Sequence, residues 1–265
     1  MRWLFLLLPE VLVLFLFLAL RHPEAPPLEI STKKVSDKEL PEKDPIAFLE
    51  KCLARYDREV SSYSAIFYKQ ELIQGRMQKP EEIQIHFHEK PFSVYFEWLK
   101  GARKAERCVY VEGENHNMFL ARPLGPLVRL VVGDVAEREL DSPDAKAASR
   151  YSFRDFGLKK VMEQTLEGWH KAKARGALHI DYLGIHTVKE AGNRACYKLR
   201  RSRYEHPEDG GVTELTVYID KETLLQVGTV LHGEEDNLIA FYFFRDIHLN
   251  PNFAKNYFTR SALTP

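Results

Sequence analysis

Residues 212–253 alternate so regularly between apolar and other side chains that few folds can accommodate them. Thr213, Leu215, Val217 and Ile219 share one face of an extended chain, as do Leu225, Val227, Thr229 and Leu231 in a second run. Ile239, Phe241 and Phe243 do so in a third. Successive strand side chains point to opposite faces, so a period of two marks a sheet with one face on a core. The joints at residues 220–223 and 233–237 are polar and suit hairpin turns. Three sequential antiparallel strands are therefore expected here.

Earlier segments extend the pattern. Asp44-Pro45 supplies an N-cap acceptor and a proline for the first helical position. Ile46, Leu49, Leu53, Tyr56 and Val60 then recur at helical spacing, giving one apolar stripe with Cys52 beside it. Strands are expected at residues 64–72 and 82–88, the latter with Ile83, Ile85 and Phe87 on one face. Phe92, Val94, Phe96 and Trp98 form a further apolar row, followed by weaker strands at 107–111 and 117–121. A short helix is expected after Pro126 and a longer one over residues 154–173, with Gly176 just past its end. Gly168 inside that helix costs about 1 kcal/mol relative to alanine, so packing must hold it. Strands resume at 178–188 and 195–204. Helix, strands, helices, strands is the order of an α+β fold: one long, curved antiparallel β-sheet packed over a few segregated helices, with sequential neighbours pairing as a meander.

The N-terminus places this domain next to a membrane. Residues 3–20 are apolar apart from Pro9 and Glu10, follow Arg2, and include an unbroken run at 11–20. That run has the length of a signal-peptide core, whereas the whole stretch approaches membrane-span length. It serves as a hydrophobic helix that is either cleaved as a signal peptide or kept as an anchor, and the poor cleavage signals favour the anchor. Residues 21–43, with four prolines among charged side chains, read as a flexible linker. Residues 44–265 then form a single domain on the exported, periplasmic side of the inner membrane. Thirty-eight basic and 38 acidic residues balance to zero, which argues against a nucleic-acid partner held by a basic face. Cys52, Cys108 and Cys196 are too far apart for a CxxC metal or redox motif. In an exported domain Cys108 and Cys196 are the pair better placed for a disulfide, but buried core thiols are the expected state.

Candidate chemistry is sparse. His86 and His88 lie two apart on one strand with Glu82 on the same face, a spacing that can supply metal ligands, but no third ligand can be placed beside them and a solvated polar face is the expected reading. Asp155, Glu163, His170 and His179 have no nucleophile elbow or phosphate loop to act with, so no catalytic residue, cofactor or metal is assigned and no enzyme is expected. Arg201 and Arg203 continue the face of Tyr197 and Leu199, where they can rim an apolar cavity and hold an anionic headgroup or simply protect a strand edge.

The helix leading into YSAIFYKQE, the stretch PFSVYFEWLKGARKAERCVYVEG and the closing strands together resemble an uncharacterised family of exported bacterial proteins. Through it, they resemble the lipoprotein-carrier superfamily of LolA/LolB-type carriers and RseB-type sensors. That resemblance implies a curved half-barrel over helices with an apolar cavity, and brings no catalytic residues. Its expected walls are Phe92, Phe96, Trp98, Leu215, Val217, Phe241 and Phe243, with Arg201 and Arg203 at the rim. The expected ligand is a lipid, acyl chain or lipoprotein. The alternative is a tethered sensor or interaction module that binds another envelope protein. A retained anchor suits a tethered receptor better than a diffusing shuttle.

Overall fold

Two long strands lie side by side at the centre of the molecule and join its two halves. The computed structural model describes Ser36, residues 39–254 and residues 256–264. The apolar stretch at 3–20 and most of the linker lie outside the described residues. Among those described, no helix is long and apolar enough to cross a membrane. The first described elements are α1 (Leu40–Lys43), which falls within the stretch read as linker and buries Pro41, and α2 (Pro45–Glu59). Asp44 accepts a hydrogen bond from the Ala47 N–H at 3.0 Å, the N-cap the sequence implies.

The strands are β1 (Ser62–Ile73), β2 (Arg76–Met77), β3 (Glu81–His88), β4 (Ser93–Lys100), β5 (Ala105–Val111), β6 (Phe119–Pro123) and β7 (Ala136–Arg138). After them come β8 (Ile180–Val188), β9 (Arg194–Arg201), β10 (Glu214–Asp220), β11 (Gln226–His232) and β12 (Leu238–Leu249). Between β6 and β8 the chain inserts α3 (Pro126–Val132), α4 (Pro143–Lys146) and α5 (Leu158–Ala174).

One curved antiparallel sheet runs in the order β7-β6-β5-β4-β3-β1-β12-β11-β10-β9-β8, with β2 paired to β1 alone. Two meanders thus spread outward from the β1–β12 pair, and the sheet stays open at β7 and β8. This is the expected α+β half-barrel. Cross-strand partners share a face. Phe67 opposite Ile83 and Phe244, Ile85 opposite Phe96, and Val217 opposite Leu199 therefore define an inner face that packs on the helices. On the outer face the chain end folds back, and Leu263, Tyr257 and Phe258 cover Tyr95, Val109 and Leu120.

Two expectations need correction. Ile239, Phe241 and Phe243 do not form one inward row. Tyr242 pairs with Thr229 and Ala240 with Leu231, and the register then slips so that His232 meets Leu238. The bulge absorbs Ile239 and shifts the period-two phase, turning Phe241 and Phe243 to the outer face and Tyr242 and Phe244 inward. Phe243 lies so close over Gly228 that an added Cβ there would sit 2.5 Å from its ring. The cysteines follow the favoured reading: Cys108 and Cys196 stand on opposite wings of the sheet, and all three are buried free thiols. Finally, the long helix starts at Leu158 rather than residue 154, because Gly157 adopts φ +129. An L-residue rarely takes that conformation, and an added Cβ would press on the Phe87 ring at 3.2 Å. The far end behaves as expected. Gly176 N–H donates to Lys173 C=O and Ala177 N–H to Ala172 C=O, the paired bonds of a Schellman stop.

Instead of a local side-chain cap, α5 uses one from the sheet. The Leu158 N–H donates to the hydroxyl of Tyr63, a fully buried residue of β1, at 3.1 Å. Tyr63→Phe is expected to leave that N–H unsatisfied and lower unfolding free energy by about 1–3 kcal/mol in urea titration.

Candidate functional site

A cavity of about 1540 Å³ lies between the inner face of the sheet and the helical insertion. Its wall is aromatic because the period of two repeatedly brings large rings to that face. Phe67 and Phe244 come from the central strands, and Phe96 and Phe119 from one wing. From the insertion, Phe153 approaches Phe96 at 5.2 Å and Phe119 at 4.9 Å between ring centroids. Phe156 meets Phe96 at 4.8 Å and Phe67 at 5.2 Å, edge to face. Such pairs add to simple area burial and hold the wall rigid.

Charged groups interrupt this wall at two places. On β1 the inward alternation continues from Phe67 to Lys69 and Glu71, both buried. The Lys69 ammonium donates to Glu71 at 2.7 Å, and the same carboxylate accepts from Tyr242 O–H at 2.9 Å, Ser149 O–H and the Arg150 N–H. Burial alone would raise the Glu71 pKa; the Lys69 charge and these hydrogen bonds outweigh it and hold the carboxyl below its usual range. Next to it, buried Glu81 accepts from the Trp98 indole and from two guanidinium nitrogens of Arg103. At the second place Arg201, only 3 % exposed, makes a two-pronged pair with Glu208 at 2.8 and 2.9 Å and stacks over the Tyr204 ring. Hydrogen bonding from Arg201 keeps Glu208 below the ordinary carboxylate range.

Of the nine residues named from sequence, Phe96, Trp98, Leu215 and Arg201 line this cavity. Phe92 packs on Phe87 and Tyr110 instead, and Val217 is fully buried in the core; neither contributes to the lining. Phe241 and Phe243 are on the opposite face. So is Arg203: β9 ends at Arg201, and a φ of +55 at Arg203 turns the chain away, into a shallow outer groove with Lys198 and Arg200. Sequence reasoning missed Lys69, Glu71 and Glu81, although charges at inward positions of alternating strands were a readable signal. It also missed Phe153 and Phe156, which open and end a single 3-10 turn ahead of the helix and carry no period.

The other candidates do not converge. Asp155 caps its own turn with Ser152, Glu163 pairs with Lys159 and Lys160, His170 with Glu50, and His179 with Asp181. Glu82 is engaged by Lys100 and Arg245, away from metal duty. Elsewhere Glu214, His232 and Asp236 bring three ligand-type atoms within 4.8 Å of one another, with the Arg200 guanidinium 3.9 Å from Glu214 as a competing cation.

His86 sits on the outer face among Tyr95, Phe253 and Tyr257, with its Nε2 3.2 Å from the Tyr257 hydroxyl. Burial lowers its pKa, and the Glu97 charge opposes that only in part. The folded state therefore favours neutral His86. Its contribution is present above the unfolded value of about 6.5 and is lost as pH falls through the lowered folded value. Amide-exchange protection of residues 253–263 is expected to fall between pH 7 and 5, and His86→Phe to flatten that dependence.

The fold and site together define an open half-barrel with a ligand-sized, aromatic cavity under a helical insertion. The chain belongs to the family described as "Protein of unknown function (DUF1571)", whose model matches residues 60–262. No curated protein matches it in sequence. Several solved structures are similar in fold. A DUF1329 family protein from Desulfovibrio piger is 13% identical, over 83% of this chain and 99% of that one, with a TM-score of 0.40. The lipoprotein LppX of Mycobacterium tuberculosis is 11% identical, over 79% and 98%, with a TM-score of 0.46. The MucA/MucB complex of Pseudomonas aeruginosa gives 16% identity, 83% of this chain, 62% of that one and a TM-score of 0.46.

Proposed function

We propose that this is a non-catalytic cell-envelope protein that holds an apolar ligand, a lipid or the acyl chain of a lipoprotein, in the half-barrel cavity. The cavity itself carries this reading. At about 1540 Å³ it exceeds the roughly 300–1,000 Å³ of ordinary small-molecule pockets, and Phe67, Phe96, Phe119, Phe153, Phe156 and Phe244 line it. Each buried methylene contributes about 0.8 kcal/mol, so ten of them supply about 8 kcal/mol without polar chemistry. An anionic headgroup would lie beside Arg201, which lines the cavity, pairs with Glu208 through its two terminal nitrogens and keeps its Nε without a partner. Residues 3–20 keep the domain at the periplasmic side of the inner membrane, either as an anchor or through export.

A protein partner is the second reading. The observation favouring it is the half-buried outer-face row of Tyr68, Phe241 and Tyr218 around Phe243, with ring centroids 4.9–6.0 Å apart. Native mass spectrometry of protein purified from membranes tests the first reading. A lipid-sized adduct released on denaturation is expected; consistently ligand-free protein would sink it.

A further inference from the structure

The insertion carries a surface that the cavity does not use. In α3 Leu127, Leu130 and Val131 are 78, 82 and 85 % exposed, and Val128 and Val132 are about half exposed. The helix has one polar side chain, Arg129, and it is turned back onto the body. Its guanidinium donates to Glu106 at 2.7 Å and to the Pro123 carbonyl at 3.0 Å. What α3 shows to solvent is therefore mostly hydrocarbon, with the Arg129 side chain only 18 % exposed. Gly125 and Gly133 flank it, both at φ +87 and both in open space, so the helix is set off from the strands on either side.

We propose that α3 dips into the surface of a lipid bilayer and forms the portal between bilayer and cavity. Two observations select lipid over protein. Seven residues offer only a few hundred Å² of apolar surface, below the ~800 Å² per partner of a stable protein interface. The exposed side chains of α3 itself, Leu127, Leu130 and Val131, also offer no donor, acceptor or charge with which to orient a partner, whereas insertion of an apolar helix face into the headgroup boundary needs none. A third connects the surface to the site: Val128 and Val132 line the cavity, so an acyl chain leaving the bilayer along α3 stays on hydrocarbon throughout. This inference rests on the lipid-binding reading above.

The test uses the full chain in vesicles of phosphatidylcholine and phosphatidylglycerol. Since Cys52, Cys108 and Cys196 are buried, an environment-sensitive label on Leu130→Cys reports α3 alone. Its emission is expected to shift to the blue and to be quenched by brominated acyl chains. The same label on Glu222→Cys, at an exposed turn, stays accessible to aqueous iodide. A Leu130→Cys label open to iodide in vesicles overturns the proposal, as does one shielded without lipid in a concentration-dependent way, which would mean a second copy. Replacing Leu127, Leu130 and Val131 together with aspartate keeps the cavity lining intact. It is expected to retain co-purified ligand while slowing acyl-chain transfer between vesicles about tenfold or more. Undiminished transfer overturns the portal. Absence of ligand from both wild type and variant would instead count against the lipid-binding reading.

Discussion

Glu71→Ala is expected to lower unfolding free energy by roughly 3–5 kcal/mol, because it strands a buried ammonium. Lys69 and Glu71 have side chains 8 and 2 % exposed. Tyr242, Ser149 and the Arg150 N–H lose their acceptor in the same step. Removing both charges, as Lys69→Met with Glu71→Leu, is expected to recover most of the loss, since a buried pair replaced whole costs little. Urea midpoints of the three variants separate these outcomes. Acid adds a second check. With the Glu71 carboxyl held below its usual range, its contribution is complete above about pH 4.3 and disappears as pH falls through the lowered folded value. The double variant should lose less stability in that window than wild type. Asp220, held down by Arg194 and Thr223 against its own burial, sets a background common to both.

Phe153→Asp should reduce ligand occupancy about tenfold or more, because a carboxylate on the wall resists burial against an acyl chain. Phe153 is only half-buried and sits in a single 3-10 turn ahead of α5, outside the sheet, where the change is expected to leave the fold intact. Phe241→Asp on the outer face is expected to leave occupancy unchanged. The pair of variants separates the two faces of the sheet. Equal ligand loss in both, measured by native mass spectrometry, would contradict the assignment of Phe153 to the site.

Much of this architecture was legible because alternation is a strong signal wherever polar and apolar residues truly alternate. In residues 82–88 each isoleucine is followed by a polar side chain, and the structure keeps that phase. In Phe241-Tyr242-Phe243-Phe244 every residue is aromatic, so the pattern cannot say which side faces inward. There the bulge at Ile239 decides, and a bulge depends on pairing with another strand. Gly228 was the available clue, since a ring crossing the outer face needs a missing Cβ opposite it. Arg201 and Arg203 failed as a pair for a related reason. Sharing a face two residues apart requires the strand to continue, and β9 ends between them. Phe153 and Phe156 reach the site through tertiary packing of the insertion, which local sequence does not encode.

Trp98 lies in the cavity wall, its indole tied to Glu81, and so reports on whatever fills the cavity. The most direct measurement is quenching of its fluorescence by a brominated fatty acid, isolated as the difference between wild type and Trp98→Phe. A filled half-barrel predicts saturable, Trp98-dependent quenching that Phe153→Asp abolishes and Phe241→Asp leaves intact. Quenching that is absent, or that persists unchanged in Trp98→Phe, would mean that the acyl chain does not enter the cavity.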